Sequence, residues 1–176
     1  MAVEPPVTER QAELLAGSGL LADEPGSLRA AWAALGDTWA GTVVKARALA
    51  PEALDRRVDG EWSFVETQRH LVFVTDAWIR GIALGVPEPH HPLGLPPHFV
   101  DGRRLGLDLD ATPALDEVLA LRAERQAIVR DLIDGSTADD LGRATAKQFT
   151  VLGAVQVVMF EEWAHHRFAT RDLARL

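Results

Sequence analysis

A chain of 176 residues, 47% of them hydrophobic, holds enough apolar material for one globular domain with its own core. It has no cysteine, which excludes disulfides, thiolate metal sites and thiol nucleophiles. The net charge of −8 opposes a phosphate backbone and argues against a nucleic-acid partner.

Residues 1–26 read as an N-terminal appendage packing on the main domain, with a short helix around Glu9 to Leu15. The opening MAVEPPVTER has no basic or apolar signal region, and no apolar run approaches the roughly 18 residues of a membrane span. The expectation is a cytoplasmic protein with no membrane partner. After Pro25-Gly26, with Ser27 as N-cap, a helix is predicted from Leu28 to about Leu49, because Leu28, Trp32, Leu35, Trp39 and Val43 recur on one side. A second helix opens at EWSFVE, where Ser63 and Glu66 have capping-box spacing, and runs to about Leu84. Residues 86–111 are rich in proline and form a long irregular connection of the kind that often carries function.

Thr112-Pro113 predicts the start of a third helix, which carries Leu115, Val118, Leu119, Val129 and Leu132 and stops near Gly135. A short connector helix follows Thr137, and a fourth long helix runs from about Thr150 to the end. Long helices with no strand run predict an all-α chain: a four-helix bundle over 27–176 with a long crossover loop.

The fourth helix contains EEWAHHRFA, in which Glu161 stacks over His165 and Glu162 over His166. Projected at about 100° per residue, Leu152, Val155, Met159, Trp163, Ala169 and Leu173 share an arc. Glu162 and His166 fall inside this arc, whereas Glu161 and His165 fall on its polar edge and read as a solvated charged face. A carboxylate among apolar groups must be paired or coordinated, and a structural Glu–His pair would satisfy it as well as a metal would. On the second helix, His70 shares an apolar stripe with Phe73, Val74 and Ala77. His70, Glu162 and His166 together form the donor inventory of an open metal site. His90, His91 and His98 lie in the Pro-rich loop, and Asp76 with Arg80 reads as a surface ion pair.

EWSFVETQRHL at 61–71 and EEWAHHRFATRDL at 161–173 resemble the DinB-like family of four-helix-bundle proteins. That family includes thiol-dependent S-transferases and mycothiol-dependent maleylpyruvate isomerases. Its second-helix pattern Trp-Ser-x-x-Glu-x-x-x-His-Leu is met by Trp62, Ser63, Glu66, His70 and Leu71. Its fourth-helix pattern His-x-x-x-His-Arg is met by His166 and Arg167 only, with Glu162 in place of the first histidine.

The resemblance implies a divalent metal held by three side chains, with open positions for water or substrate. With a carboxylate in the set, zinc, nickel and iron all remain candidates. It also implies a small-molecule substrate and a metal-dependent enzyme, a transferase or isomerase using a low-molecular-weight thiol. Only Lys45 and Lys147 are lysine among 18 basic residues, a hint of a GC-rich genome under which the resemblance makes mycothiol a reasonable thiol. The alternatives are a non-catalytic metal-binding or stress-related module and a metal-dependent hydrolase. A homodimer is expected, because Val157, Phe160, Ala164 and Phe168, and on the second helix Val65, Val72, Ile79 and Ala83, form second apolar faces.

Overall fold

The computed structural model describes residues 7–176, and residues 1–6 lie outside it. Every regular element among the described residues is a helix, with no strand and a lone bridge between Ala144 and Thr150. The α-helices are α1 (Glu9–Gly17), α2 (Pro25–Ala46), α3 (Phe64–Thr75), α4 (Leu115–Gly135), α5 (Ala138–Gly142) and α6 (Val151–Leu173). Helices α2, α4, α3 and α6 pack in that cyclic order into a bundle. No helix among the described residues is long and apolar enough to cross a membrane.

Local chemistry fixes most helix starts. Ser63 and Glu66 close a reciprocal capping box on α3, Thr137 and Asp140 close one on α5, and the Thr150 hydroxyl caps α6. Two starts move from their expected places. Ser27 is the third residue of α2, where it bonds back to Glu24, and Pro25 takes the first helical position, whose N–H would be unpartnered anyway. Helix α4 begins at Leu115 rather than beside Thr112-Pro113.

Beyond Thr75 the chain continues as a π-helix over Asp76–Ala83. The Leu84 N–H reaches back five residues to the Ile79 carbonyl. Asp76 opens this segment and is fully buried. It accepts from Arg125 Nε at 2.6 Å, from Arg80 and from the His91 backbone N–H. The supposed surface pair of Asp76 and Arg80 is thus the anchor of the proline-rich loop.

The core divides in two. One cluster includes Leu28, Trp32, Leu35, Phe73, Val129, Val155 and Met159, and the other Trp39, Phe64, Leu71, Val118 and Ala169. Along α4 and α6 the change-over between them is polar, at Arg122, Arg125 and Glu162, each 9% exposed or less. Val65, Val72, Ile79 and Ala83 are buried within the chain and offer no second face to a partner. On α6, Val157 is also buried, and Phe168 is the large apolar residue left exposed, at 46%. In the N-terminal region Leu15 is buried, and Gln156 Nε2 donates to the Ala22 carbonyl at 3.0 Å.

Candidate metal centre

Helix α3 carries His70 on a turn that packs against both α6 and the loop. The loop is tied down by Arg69, whose buried guanidinium donates to the carbonyls of Leu93, Ala111 and Asp108 at 2.9, 2.6 and 2.7 Å. Leu95 closes a clasp, its N–H donating to the Arg69 carbonyl and its carbonyl facing His70 Nδ1 at 3.0 Å. A carbonyl oxygen only accepts, so Nδ1 carries a proton, and whenever the ring is neutral it is Nε2 that keeps the lone pair.

That bare nitrogen points at α6. Glu161 Oε2 lies 3.5 Å from His70 Nε2 and 3.2 Å from His165 Nε2. The donor atoms of His70, Glu161 and His165 all fall within 4.8 Å of one another. The Trp62 ring packs on both imidazoles, with centroids 4.4 Å from His70 and 5.8 Å from His165, and holds their planes. His70 is 6% exposed, His165 16% and Glu161 26%, so the cluster is anchored in the wall and opens outward.

Electrostatics keep the carboxylate charged. Burial works to raise the Glu161 pKa, but with His165 and His70 protonated their hydrogen bonds and charges outweigh it and bring it down to about 2. An ionised oxygen and a lone-pair nitrogen facing each other at 3.5 Å repel unless a proton or cation lies between them. Ligands sharing one ion at about 2.1 Å stand about 3–3.5 Å apart, which matches these spacings. The donor set of two imidazoles and a carboxylate fits a divalent transition ion.

The expected trio is split. His70 meets Glu161 and His165, the residues that projection put on the polar edge, in place of Glu162 and His166. Glu162 is 2% exposed, as its place on the apolar arc requires, but it turns to α4 and accepts from Arg122 Nη2 at 3.0 Å. His166 turns to α2, where Nε2 lies 2.8 Å from Thr42 Oγ1 and the ring meets Trp39 edge-on. Burial, then the charge of Lys45, lowers its pKa and keeps it neutral. Helix α6 lies between α2 and α3, and a step of about 100° decides which neighbour a side chain meets.

Of the loop histidines, His90 stacks on Phe73 at 5.1 Å and 11°, and burial lowers its pKa. His91 Nδ1 accepts from the Leu93 N–H, and His98 meets Phe99 edge-on. None of these joins the donor cluster among the described residues. Sequence reasoning also missed Arg69, Arg122 and Arg125, buried cations whose partners lie far along the chain.

Fold and cluster together define an all-helical bundle with a His/Glu donor set between two of its long helices. A family model described as the DinB superfamily matches residues 34–169, and the chain belongs to that family. Comparison with curated proteins and with solved structures gives no match.

Proposed function

We propose that the protein is a metal-dependent enzyme of the DinB type, with His70, Glu161 and His165 holding a divalent ion where the cluster opens outward. The observation that carries this reading is the His70 tautomer. The Leu95 carbonyl commits Nδ1 as donor and leaves Nε2 free next to Glu161, the usual arrangement by which an outer partner orients a ligating imidazole. Zinc, nickel and iron all suit the set. A bound ion supplies Lewis acidity that makes a thiol or water more acidic near neutral pH. The chain's own contribution is to fix the rings through Trp62 and Leu95 and to keep Glu161 ionised.

Transfer of a low-molecular-weight thiol such as mycothiol to a small electrophile, or an isomerisation assisted by it, is the reaction we infer first. Metal-dependent hydrolysis is second. A non-catalytic binding module is favoured by one feature: with protons on the facing ring nitrogens, His70 and His165 satisfy Glu161, and among the described residues no further acid or base is bonded to it. Elemental analysis of the purified protein followed by a thiol-transfer assay with and without chelator separates these readings. Stoichiometric metal and chelator-sensitive turnover support the enzyme, whereas metal-free protein whose melting ignores added zinc or nickel supports the module. A homodimer is proposed on narrower ground than the sequence suggested, resting on exposed Phe168, and light scattering of the wild type and Phe168→Ser tests it.

A further inference from the structure

Across the bundle from the His/Glu cluster, α2 and α4 leave a groove between them. Two neighbouring cavities of ligand size, about 380 Å³ and 310 Å³, meet at Gly36, Trp39 and Gln126, which line both. The groove's lining includes buried polar groups with unmet hydrogen-bonding capacity. Trp39 Nε1, both amide atoms of Gln68 and Arg122 Nη1 have no hydrogen-bond partner among the described residues. Trp39, Gln68 and Arg122 are 3%, 0% and 4% exposed, and all line the groove. A buried polar atom left without a partner is destabilising, so a cluster of them is costly unless something bonds to it.

We propose that this groove is a second small-molecule site, built for a neutral, planar aromatic compound that carries a carbonyl group, such as an aromatic carboxamide. Charge selects the neutral form. Arg122 is already matched by Glu162 at 3.0 Å, Arg29 by Asp134 at 3.0 Å and Arg47 by Asp116, while Arg130 lies on the solvated rim 3.9 Å from Asp131, so a carboxylate seated at depth would be buried beside Glu162 without a desolvated counter-ion. Hydrogen bonding selects the carbonyl. Trp39 Nε1, Arg122 Nη1 and Gln68 Nε2 supply donors, and Gln68 Oε1 supplies an acceptor for an amide N–H. Shape selects the aromatic ring, since Trp32 and Trp39 line an otherwise largely apolar slot.

Gly36 supports the reading. It sits inside α2, where glycine is a poorer helix former than alanine, yet a Cβ added there meets nothing within 4 Å. Close packing does not require it. What its missing side chain leaves is open groove.

The test uses the full-length protein with 2-naphthamide, 2-naphthoate and 2-methylnaphthalene as probes, followed by calorimetry and by the indole N–H resonance of Trp39 in nitrogen-15 NMR. The amide is expected to bind with a Kd at or below about 1 mM and to shift the Trp39 resonance, with the other two probes at least tenfold weaker. Gln68→Leu should weaken the amide at least tenfold. Gly36→Leu should abolish binding, while Gly36→Ala, which reports on folding, melts at or above the wild-type temperature. Equal binding of methylnaphthalene overturns the polar selection, tighter naphthoate overturns the charge argument, and no amide binding at 1 mM overturns the site. Unchanged affinity in a folded Gly36→Leu does the same. Metal content of the same samples reads the His70 cluster separately, so the two proposals fail independently.

Discussion

Glu161 and Glu162 are adjacent in the chain and serve different partners. Glu161 bridges His70 and His165, while Glu162 is 2% exposed and bonded to Arg122 on α4. Substitution should therefore separate a binding role from a folding role at neighbouring positions.

For binding, His70→Ala and His165→Ala are expected to lower the metal content of the purified protein at least tenfold. His166→Ala and Glu162→Gln should leave it near the wild-type value, because their side chains face Thr42 and Arg122. Inductively coupled plasma mass spectrometry reads the result. Equal loss from His165→Ala and His166→Ala would sink the assignment of ligands.

For folding, Glu162→Ala leaves Arg122 buried without its counter-ion and should destabilise the protein by about 3–5 kcal/mol. The double variant Arg122→Met with Glu162→Leu should recover most of that, since replacing both charges by apolar groups is often neutral. Urea unfolding monitored by circular dichroism measures both. A double variant as unstable as the single one would show that the pair does more than neutralise itself.

Arg69→Met removes donors to the carbonyls of Leu93, Asp108 and Ala111. A loss of about 3 kcal/mol or more is expected, with faster proteolytic cleavage within residues 93–111. Arg69→Lys should restore little, because a single ammonium cannot span the carbonyls that the planar fork reaches. Limited proteolysis with mass spectrometry locates the cut.

Helix caps were legible because their chemistry is local. Ser63 with Glu66, Thr137 with Asp140, and Thr150 act across a few residues, and those starts are where the sequence places them. Of the candidate cluster, His70 was named from the sequence, whereas Glu161 and His165 each precede by one position the residues expected beside it. Projection identified Glu162 as buried but could not tell which neighbouring helix it would face, since Arg122 lies 40 residues away. Arg69 and Arg125 carried no local signal, because a cation on a helix ordinarily reads as solvated. The π-helix after Thr75 left no mark in the spacing of apolar residues.

Acid stability should show the capping box of α3. Burial works to raise the Glu66 carboxyl, but hydrogen bonds from Arg57 and Ser63 outweigh it and hold it below the usual carboxylate range. A carboxyl with a depressed folded pKa stabilises the protein above its unfolded pKa near 4.5, and the effect fades as pH falls through the folded value. Glu66→Gln should thus melt lower than wild type at pH 7 and lose less on acidification. Thermal melts from pH 7 to pH 3 test this, and parallel curves would contradict it.

The clasp at Leu95 has a thermodynamic corollary. One residue of the loop both docks on Arg69 and sets which nitrogen of His70 carries the proton. Loop docking and ligand competence are therefore linked equilibria. An ion that favours the docked tautomer protects the loop against opening, and any change that opens the loop weakens the ion by the same factor.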